Sequence, residues 1–328
     1  MQLSILDLAP IRRGETASES FAASVALAQA AERLGYQRVW YAEHHNMPTI
    51  ASSATSVLIA HVAAHTSTIR LGAGGIMLPN HAPLMIAEQF GTLEALHPGR
   101  IDLGLGRAPG TDQTTMRALR RGLGSVDHFP QDVLELQGYL SDESELPGVN
   151  ATPGRGSHVP LYILGSSLFG AQLAAALGLP YAFASHFAPA ALEQAVAVYL
   201  RDFQPSAQLQ QPYLIAAMNV IAADSAEDAL TQLRTAKRAR VGALLARGQD
   251  LSDEQADQLL ASPQGQHIEQ MLVYSAFGTP DTVRDGVLRF AELSRADEVM
   301  VVHQSPTSAE RLRSVELLAA AMDLAPAR

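Results

Sequence analysis

The residues best suited to chemistry are a carboxylate and two adjacent imidazoles, Glu43, His44 and His45, which follow the apolar run Trp40-Tyr41-Ala42. In an α/β barrel, chemistry is displayed where a parallel strand gives way to its loop. A metal site is a poor interpretation, because adjacent side chains diverge and the helical H-E-x-x-H spacing is absent. One interpretation is that the histidines are polar residues at a strand end, with one of them hydrogen-bonded to the nearby backbone. The other is that one is a functional imidazole, serving as acid, base or hydrogen-bond partner to a bound cofactor.

A run of small residues, Gly72-Ala73-Gly74-Gly75, stands at the end of the third predicted strand. Glycines there permit positive φ angles and let a flat ligand approach the backbone closely. An ordinary tight turn is the alternative. The run is not a dinucleotide fingerprint, because the third glycine of G-x-G-x-x-G is missing and no helix opens immediately.

A candidate phosphate-binding corner consists of Arg107, after the fourth predicted strand, and Gly165-Ser166-Ser167, after the fifth. A guanidinium at the end of an apolar strand needs an anion or water, and either Asp112 or a phosphate would supply the charge. The serines begin a predicted helix, whose free N–H groups and dipole favour negative charge. Serines are also common N-caps. Their position on consecutive strands with an arginine favours phosphate.

The bulk composition indicates a globular enzyme. The 328 residues are 47% hydrophobic and 17% charged, which is ample for a large core. The net charge of −10, without a Lys/Arg-rich run, argues against binding to nucleic acid or to an anionic membrane surface.

The cysteine count and the hydropathy pattern give an expectation for the cellular location of the protein. The chain has no cysteine, which excludes disulfides, thiol nucleophiles and thiolate metal sites. The first residues lack the pattern of a signal peptide, and no apolar run approaches the roughly 20 residues that span a bilayer. A cytoplasmic location is the simplest expectation.

Short apolar runs alternate with amphipathic stretches, which is typical of repeated βα units. We predict one domain over residues 1–328, an eight-stranded (β/α)8 TIM barrel, with a turn-rich loop insertion at 141–160 before strand 5 and an extended helical insertion at 223–277 between strands 7 and 8. The predicted strands are Leu3–Asp7, Arg38–Tyr41, Ile69–Gly72, Ile101–Gly106, Leu161–Gly165, Tyr181–Ala184, Leu214–Ile221 and Glu298–Val302.

These motifs, in this order and spacing, resemble the bacterial luciferase-like family of flavin-dependent monooxygenases. The strongest matches are Val39-Trp40-Tyr41-Ala42-Glu43-His44-His45, Gly74-Gly75-Ile76-Met77-Leu78-Pro79 and Gly106-Arg107. The resemblance extends over most of the chain, through Gly278-Thr279-Pro280.

The resemblance implies a barrel that binds reduced FMN, supplied by a separate flavin reductase, and that uses O2 on a small organic substrate. It implies His44 as the catalytic histidine and a non-prolyl cis peptide near Gly74-Gly75 beneath the flavin ring. It also implies phosphate binding by Arg107 with Ser167, and a homodimer formed through helices near the second and third strands, with Val57-Leu58-Ile59-Ala60 as the candidate interface.

The chain also departs from the family pattern. Gly106 stands where the luciferase α chain has its reactive cysteine, and Gly170 aligns with a phosphate-binding threonine, so light emission on long-chain aldehydes is not implied. The alternatives that remain open are a deazaflavin-dependent oxidoreductase of the same superfamily, a non-catalytic flavin-binding protein, and a sugar-phosphate enzyme on an unrelated barrel.

Overall fold

The computed structural model of the protein describes residues 1–108, 110–142, 147–246, 249 and 251–326, and it leaves the side chains of Leu123 and Ser125 undescribed. Within this part, nine parallel strands form one sheet. They are β1 Gln2–Asp7, β2 Arg38–Tyr41, β3 Arg70–Met77, β4 Ile101–Gly106, β5 Leu161–Gly165, β6 Tyr181–Phe183, β7 Leu214–Ala222, β8 Ser275–Gly278 and β9 Glu298–His303.

Eight of these strands close into a barrel. Strands β1 to β7 pair in chain order, β7 pairs with β9, and β9 returns to β1. The short β8 lies beside the last four residues of β7. Strand β9 occupies one edge of β7. On the other edge, β6 pairs with the start of β7 and β8 pairs with its end. The predicted (β/α)8 TIM barrel is therefore confirmed.

Helices connect and surround the strands. Each strand that is followed by a helix places its carboxyl end on the same side of the barrel, as in all βα barrels. The α-helices of the described residues are α1 Ala17–Leu34, α2 Thr55–Ala63, α3 Pro83–Leu96, α4 Gln113–Ala118, α5 Phe129–Leu140, α6 Leu168–Leu177, α7 Leu192–Asp202, α8 Ala226–Leu245, α9 Asp253–Leu260, α10 Gly265–Met271, α11 Pro280–Ser294 and α12 Ser308–Ala321.

Local sequence signals explain several helix boundaries. A capping box of Thr16 and Glu19 begins α1, and Gly35 ends it in the left-handed conformation. Gly178 ends α6 in the same way. No helix of the described residues is long and apolar enough to cross a membrane.

The core has two layers. The larger layer lies between the outer face of the barrel and the helices, where strand residues such as Ile5, Leu71 and Val301 pack against helical residues such as Ile59 and Phe90. The smaller layer fills the barrel interior. It is formed by Leu6, Trp40, Ala42, Tyr162, Ala182, Ile215, Ala217, Met300 and Val302.

A buried ionic network closes the amino-terminal end of the barrel. Arg38 binds both carboxylate oxygens of Glu298, at 2.9 and 3.1 Å, and it also binds Asp102 at 2.7 Å and the Tyr162 hydroxyl at 2.8 Å. Arg70 makes a second ion pair with Asp102. Every charge in this network has a partner, which is the condition under which buried charges are tolerated.

The structure agrees with the predicted segments except at two places. The third strand does not end at Gly72 but continues to Met77 through a register shift between Ala73 and Ile76. The long segment after β7 is helical as predicted, but it also contains β8. The loop at 141–160 precedes β5 as predicted, and its residues 143–146, like Gly248 in the later insertion, lie outside the described residues.

Candidate active site

The polar residues singled out in the sequence lie at the carboxyl ends of the barrel strands, on the rim where barrels carry their active sites. The histidine segment follows β2, Arg107 follows β4, and the serine pair follows β5. The loop after β4 also contacts the histidine segment. The His45 N–H donates to the Gly110 carbonyl at 3.4 Å, and the Thr111 hydroxyl donates to the His45 carbonyl at 3.2 Å.

Glu43 is the structural centre of the histidine segment. Its side chain is only 1% exposed, and it accepts hydrogen bonds from a ring nitrogen of His45 at 2.8 Å and from one of His81 at 2.9 Å. It also accepts from the Met77 backbone N–H at 3.0 Å and from the Asn80 amide at 3.4 Å. Glu43 therefore ties the end of β2 to the end of β3 and positions two imidazoles.

The electrostatics of Glu43 and His45 follow from these contacts. Burial alone would raise the pKa of Glu43, but the hydrogen bonds from His45, His81 and Met77 outweigh it and lower the pKa to about 2. The hydrogen bond to Glu43 in turn raises the pKa of His45. Glu43 is thus a permanent anion, and its capacity as an acceptor is used within the protein.

His44 has a different environment from its neighbour. Its backbone N–H donates to the Ser52 carbonyl at 3.2 Å, but its buried Nδ1 has no hydrogen-bond partner. Burial lowers the pKa of His44, with the positive charge of His45 adding to the effect and Glu43 opposing it. His44 is therefore neutral at pH 7 and keeps a ring nitrogen available, whereas His45 is held by Glu43.

The Gly74–Gly75 peptide bond is cis, as the family resemblance implies. The positive φ angles that glycine permits are not used here, because neither of these two residues adopts one. Packing is the observed reason for glycine. A Cβ on Gly74 would lie 2.9 Å from the Trp40 Cβ, and one on Gly75 would lie 2.7 Å from the Gly104 carbonyl oxygen.

The structure brings Arg107 against the first turn of α6. Its guanidinium carbon lies 4.0 Å from the centre of the Phe169 ring, a cation–π contact that places the charge near Ser167. Ser167 is the N-cap residue of α6, and its side chain makes no capping hydrogen bond. Asp112, the competing partner, instead caps α4 through the Thr115 N–H at 2.9 Å. The predicted corner of arginine and helix start is therefore assembled, and Arg107 is exposed toward solvent there.

The sequence reasoning missed three rim residues. His81 reaches Glu43 because a single turn of 3-10 helix, Leu78–Asn80, follows β3. His186 lies in the loop after β6, and Arg240 lies on α8. The motif ending in Pro79 contained a signal for His81, a histidine just after a strand end, but no local pattern distinguishes His186 or Arg240.

The donor set of the rim fits a phosphate monoester better than a metal. Arg107 and the uncapped start of α6 supply a cation and free N–H donors, which is what a phosphate monoester requires. In the part of the chain that the structure describes, no group of three or more His, Cys, Asp or Glu side chains is arranged to hold a metal ion.

Comparison with known proteins gives the family. The family model of the luciferase-like monooxygenases matches residues 1–297. A protein of Escherichia coli K12 named luciferase-like monooxygenase is 50% identical over 329 aligned positions, covering 98% of this chain and 96% of its own. This chain belongs to the luciferase-like monooxygenases.

Solved structures agree with the family assignment. The structure of apo-MsnO8 superposes on this luciferase-like monooxygenase with a TM-score of 0.89 at 34% identity, covering 99% of both chains. A type II Baeyer–Villiger monooxygenase, the oxygenating constituent of 3,6-diketocamphane monooxygenase from Pseudomonas putida in complex with FMN, shares the fold at a TM-score of 0.72 and 17% identity, covering 99% and 98% of the two chains.

Not every protein with this fold uses the same flavin. An F420-dependent secondary alcohol dehydrogenase in complex with an F420-acetone adduct superposes with a TM-score of 0.71 at 15% identity, covering 98% of each chain. Membership of the luciferase-like monooxygenases supports an oxidoreductase activity. The fold alone does not choose between FMN and a deazaflavin.

Proposed function

We propose that this protein is an FMN-dependent monooxygenase that uses reduced FMN, supplied by a separate flavin reductase, and O2 to oxidise a small organic substrate. The observation that carries the choice of cofactor is the corner between β4 and α6. There an arginine that has no carboxylate partner among the described residues lies beside a helix start whose N-cap side chain makes no capping hydrogen bond. This geometry suits one terminal phosphate monoester.

Each residue has a proposed role. Arg107, with Ser166, Ser167 and the Gly165 backbone before them, would hold the phosphate, and Gly74-Gly75 would lie beneath the flavin ring. When bound, reduced FMN would supply the two electrons that activate O2. His44 is the proposed catalytic residue, because it is neutral and its Nδ1 has no protein partner, so it is able to take up or deliver a proton at the barrel mouth.

Two alternatives are separated from this proposal by direct measurement. A deazaflavin-dependent oxidoreductase is favoured by the F420-dependent structural neighbour. A non-catalytic flavin-binding protein would bind FMN but show no turnover with O2. The available imidazole of His44 favours an enzyme, because a protein that only bound flavin would have no need for it.

The test is to titrate the protein with FMN, FAD and F420 in their oxidised and reduced states, following flavin fluorescence and absorbance. FMN should bind most tightly, since Arg107 and the start of α6 would bind a terminal phosphate. Arg107→Ala should weaken FMN binding about 10- to 100-fold, the effect of losing charged hydrogen bonds. Arg117→Ala, on the exposed side of α4, is the matched control. Equal binding of FAD, or an unchanged affinity in Arg107→Ala, would contradict the proposal.

We also propose that the chain acts as one domain in a cytoplasmic homodimer. In the proposed interface segment, Leu58 and Ile59 are buried within this chain, and Val57 is 67% exposed. Met85, at the start of the neighbouring α3, is 56% exposed. A dimer would therefore cover Val57 and Met85, while the other apolar residues of the segment pack inward.

A further inference from the structure

Arg240 is a partly buried arginine for which no protein partner is present among the described residues. It lies on the inner stripe of α8, one turn beyond Ala236 and two turns beyond Leu233. Its Nη1 atom is buried and has no hydrogen-bond partner. Removing a guanidinium from water without an acceptor is unfavourable. The position of Arg240 therefore suits the binding of an anion from outside the chain.

Two neighbouring cationic residues of α8 have a structural role, and both have carboxylate partners. Lys237 binds the carboxylate of Glu269 at 2.7 Å, and Arg238 forms ion pairs with Asp253 and Asp257. In the barrel, the buried Arg38 and Arg311 also have carboxylate partners. Arg240 differs because burial lowers its pKa, and no carboxylate of the described residues opposes that effect.

Arg240 faces the barrel mouth. Together with Phe277 of β8 and Gln304 after β9, it lines a small cavity beneath α8. Gln304 donates to the Asn219 side-chain oxygen at 3.0 Å, and the Asn219 amide donates to the His186 carbonyl at 2.7 Å. A continuous hydrogen-bonded path thus connects the Arg240 cavity to the loop after β6.

Two imidazoles complete the cluster. The Nδ1 atoms of His186 and His44 are both buried without a hydrogen-bond partner. Burial, followed by the neighbouring Arg240 and His44 side chains, lowers the pKa of His186 to about 3, so both side chains lie close enough to act on His186 electrostatically. Glu43, which precedes His44 in the chain, is already bound by His45, His81 and the Met77 N–H.

We propose that Arg240, His186 and His44 form the site that binds a carboxylate group of the substrate, so that the substrate of this monooxygenase is a small organic acid. The planar guanidinium matches a carboxylate with two parallel hydrogen bonds, and the imidazoles add uncharged N–H donors. This inference rests on the proposed function for its place in a reaction. The binding site itself does not require that function.

The first test measures ligand discrimination by calorimetry. Acetate, butyrate, hexanoate and benzoate are titrated against the matched primary amides, with the protein alone and with the protein saturated with oxidised FMN. At least one acid should bind 10-fold or more tightly than its amide, the effect of a charged hydrogen bond. Arg240→Met should remove that difference, and Arg234→Met, an exposed position on the same helix, should keep it. If no acid is preferred over its amide, or Arg240→Met keeps the preference, the proposal is wrong.

The second test uses stability without any ligand. If Arg240 is retained for a ligand, Arg240→Met should leave the melting temperature unchanged or raise it, because methionine keeps an unbranched apolar stem and removes the uncompensated charge. Arg238→Met should lower it, since Asp253 and Asp257 lose their partner. A melting temperature that falls as much in Arg240→Met as in Arg238→Met would show a structural partner and overturn the proposal.

Two further outcomes of these tests are informative. One distinguishes a substrate acid from the reduced flavin as the bound anion, and the other distinguishes failure of the carboxylate site from failure of the proposed FMN-dependent function. If Arg240→Met weakens binding of reduced FMN but not of oxidised FMN, and the acids show no preference, the bound anion is the reduced flavin and the substrate proposal is wrong. If acids are preferred through Arg240 although FMN does not bind, the carboxylate site is supported and the proposed FMN-dependent function fails.

Discussion

Replacing Glu43 by glutamine tests whether one carboxylate holds the histidine segment together. Glutamine keeps the size but presents an NH2 group to donors that now share two carboxylate oxygens. These donors are His45, His81, the Met77 N–H and the Asn80 amide. The lowering of the Glu43 pKa from 4.5 to about 2 corresponds to about 3 kcal/mol of stabilisation of the ionised form in the folded state. We expect Glu43→Gln to lower the free energy of unfolding at pH 7 by about 2 to 4 kcal/mol.

The pH dependence has a defined sign. A carboxyl group whose pKa is lowered by folding stabilises the protein above its unfolded value, and that stabilisation is lost as the pH falls toward the folded pKa. The loss for Glu43 should run from about pH 5 to about pH 2. His45, whose pKa is raised, acts in the opposite direction, because its contribution is present at low pH and is lost as the pH rises through its folded pKa.

The assay is urea unfolding followed by tryptophan fluorescence. Trp40 is the only tryptophan in the sequence and lies 1% exposed inside the barrel, so its signal reports on the barrel itself. Between pH 6 and pH 3.5 the wild-type protein should lose about 1 kcal/mol more stability than Glu43→Gln, whose side chain does not titrate. Equal losses in the two proteins, or a change below about 0.5 kcal/mol at pH 7, would refute the assigned role of Glu43.

The remaining predictions concern catalysis, packing and assembly. His44→Ala should lower O2-dependent turnover about 10²- to 10⁴-fold while FMN affinity stays within about twofold, and His45→Ala is the comparison; a turnover loss confined to His45→Ala would move the catalytic role to that residue. Gly75→Ala should destabilise the protein by about 2 kcal/mol, because its Cβ would meet the Gly104 carbonyl oxygen, whereas Gly242→Ala, with open space around the new Cβ, should be neutral or stabilising in thermal melts. Light scattering should give twice the chain mass of 34.9 kDa, and Val57→Asp should shift the mass toward the monomer; a monomeric wild-type protein at micromolar concentration would contradict the dimer.

The barrel strands were predictable because both of their faces are covered. A parallel strand between helices and a packed interior reads as a continuous apolar run, and β7 is buried at all nine of its residues. The missed strand β8 has four residues, of which only Ala276 and Gly278 are buried, and it follows a long helical segment. Its position is set by pairing with the end of β7, which no local pattern reveals.

The candidate site was predictable only where its residues follow strands. His44 lies three residues after the end of β2, and Arg107 directly follows β4, so the barrel topology alone places them on the rim. The reason for the glycines at 74 and 75 was not accessible, because it depends on contacts with Trp40 and with the Gly104 backbone, far away in the chain. Arg240 could not be found for the same reason, since Arg238 has two carboxylate partners and Arg240 has none in the part of the chain that the structure describes.

The two ends of the barrel treat buried charge in opposite ways. At the amino-terminal end, Arg38 is bound by Asp102, Glu298 and the Tyr162 hydroxyl, and these partners leave none of its three nitrogens without an acceptor. At the carboxyl end, the cationic side chain of Arg240 has no acceptor among the described residues, although the same chain pairs its other buried arginines. Burying a charge without a partner destabilises the protein, and such a destabilising residue is retained where it serves to bind a ligand. In our proposal, therefore, the amino-terminal end provides structural support and the carboxyl end binds the ligand.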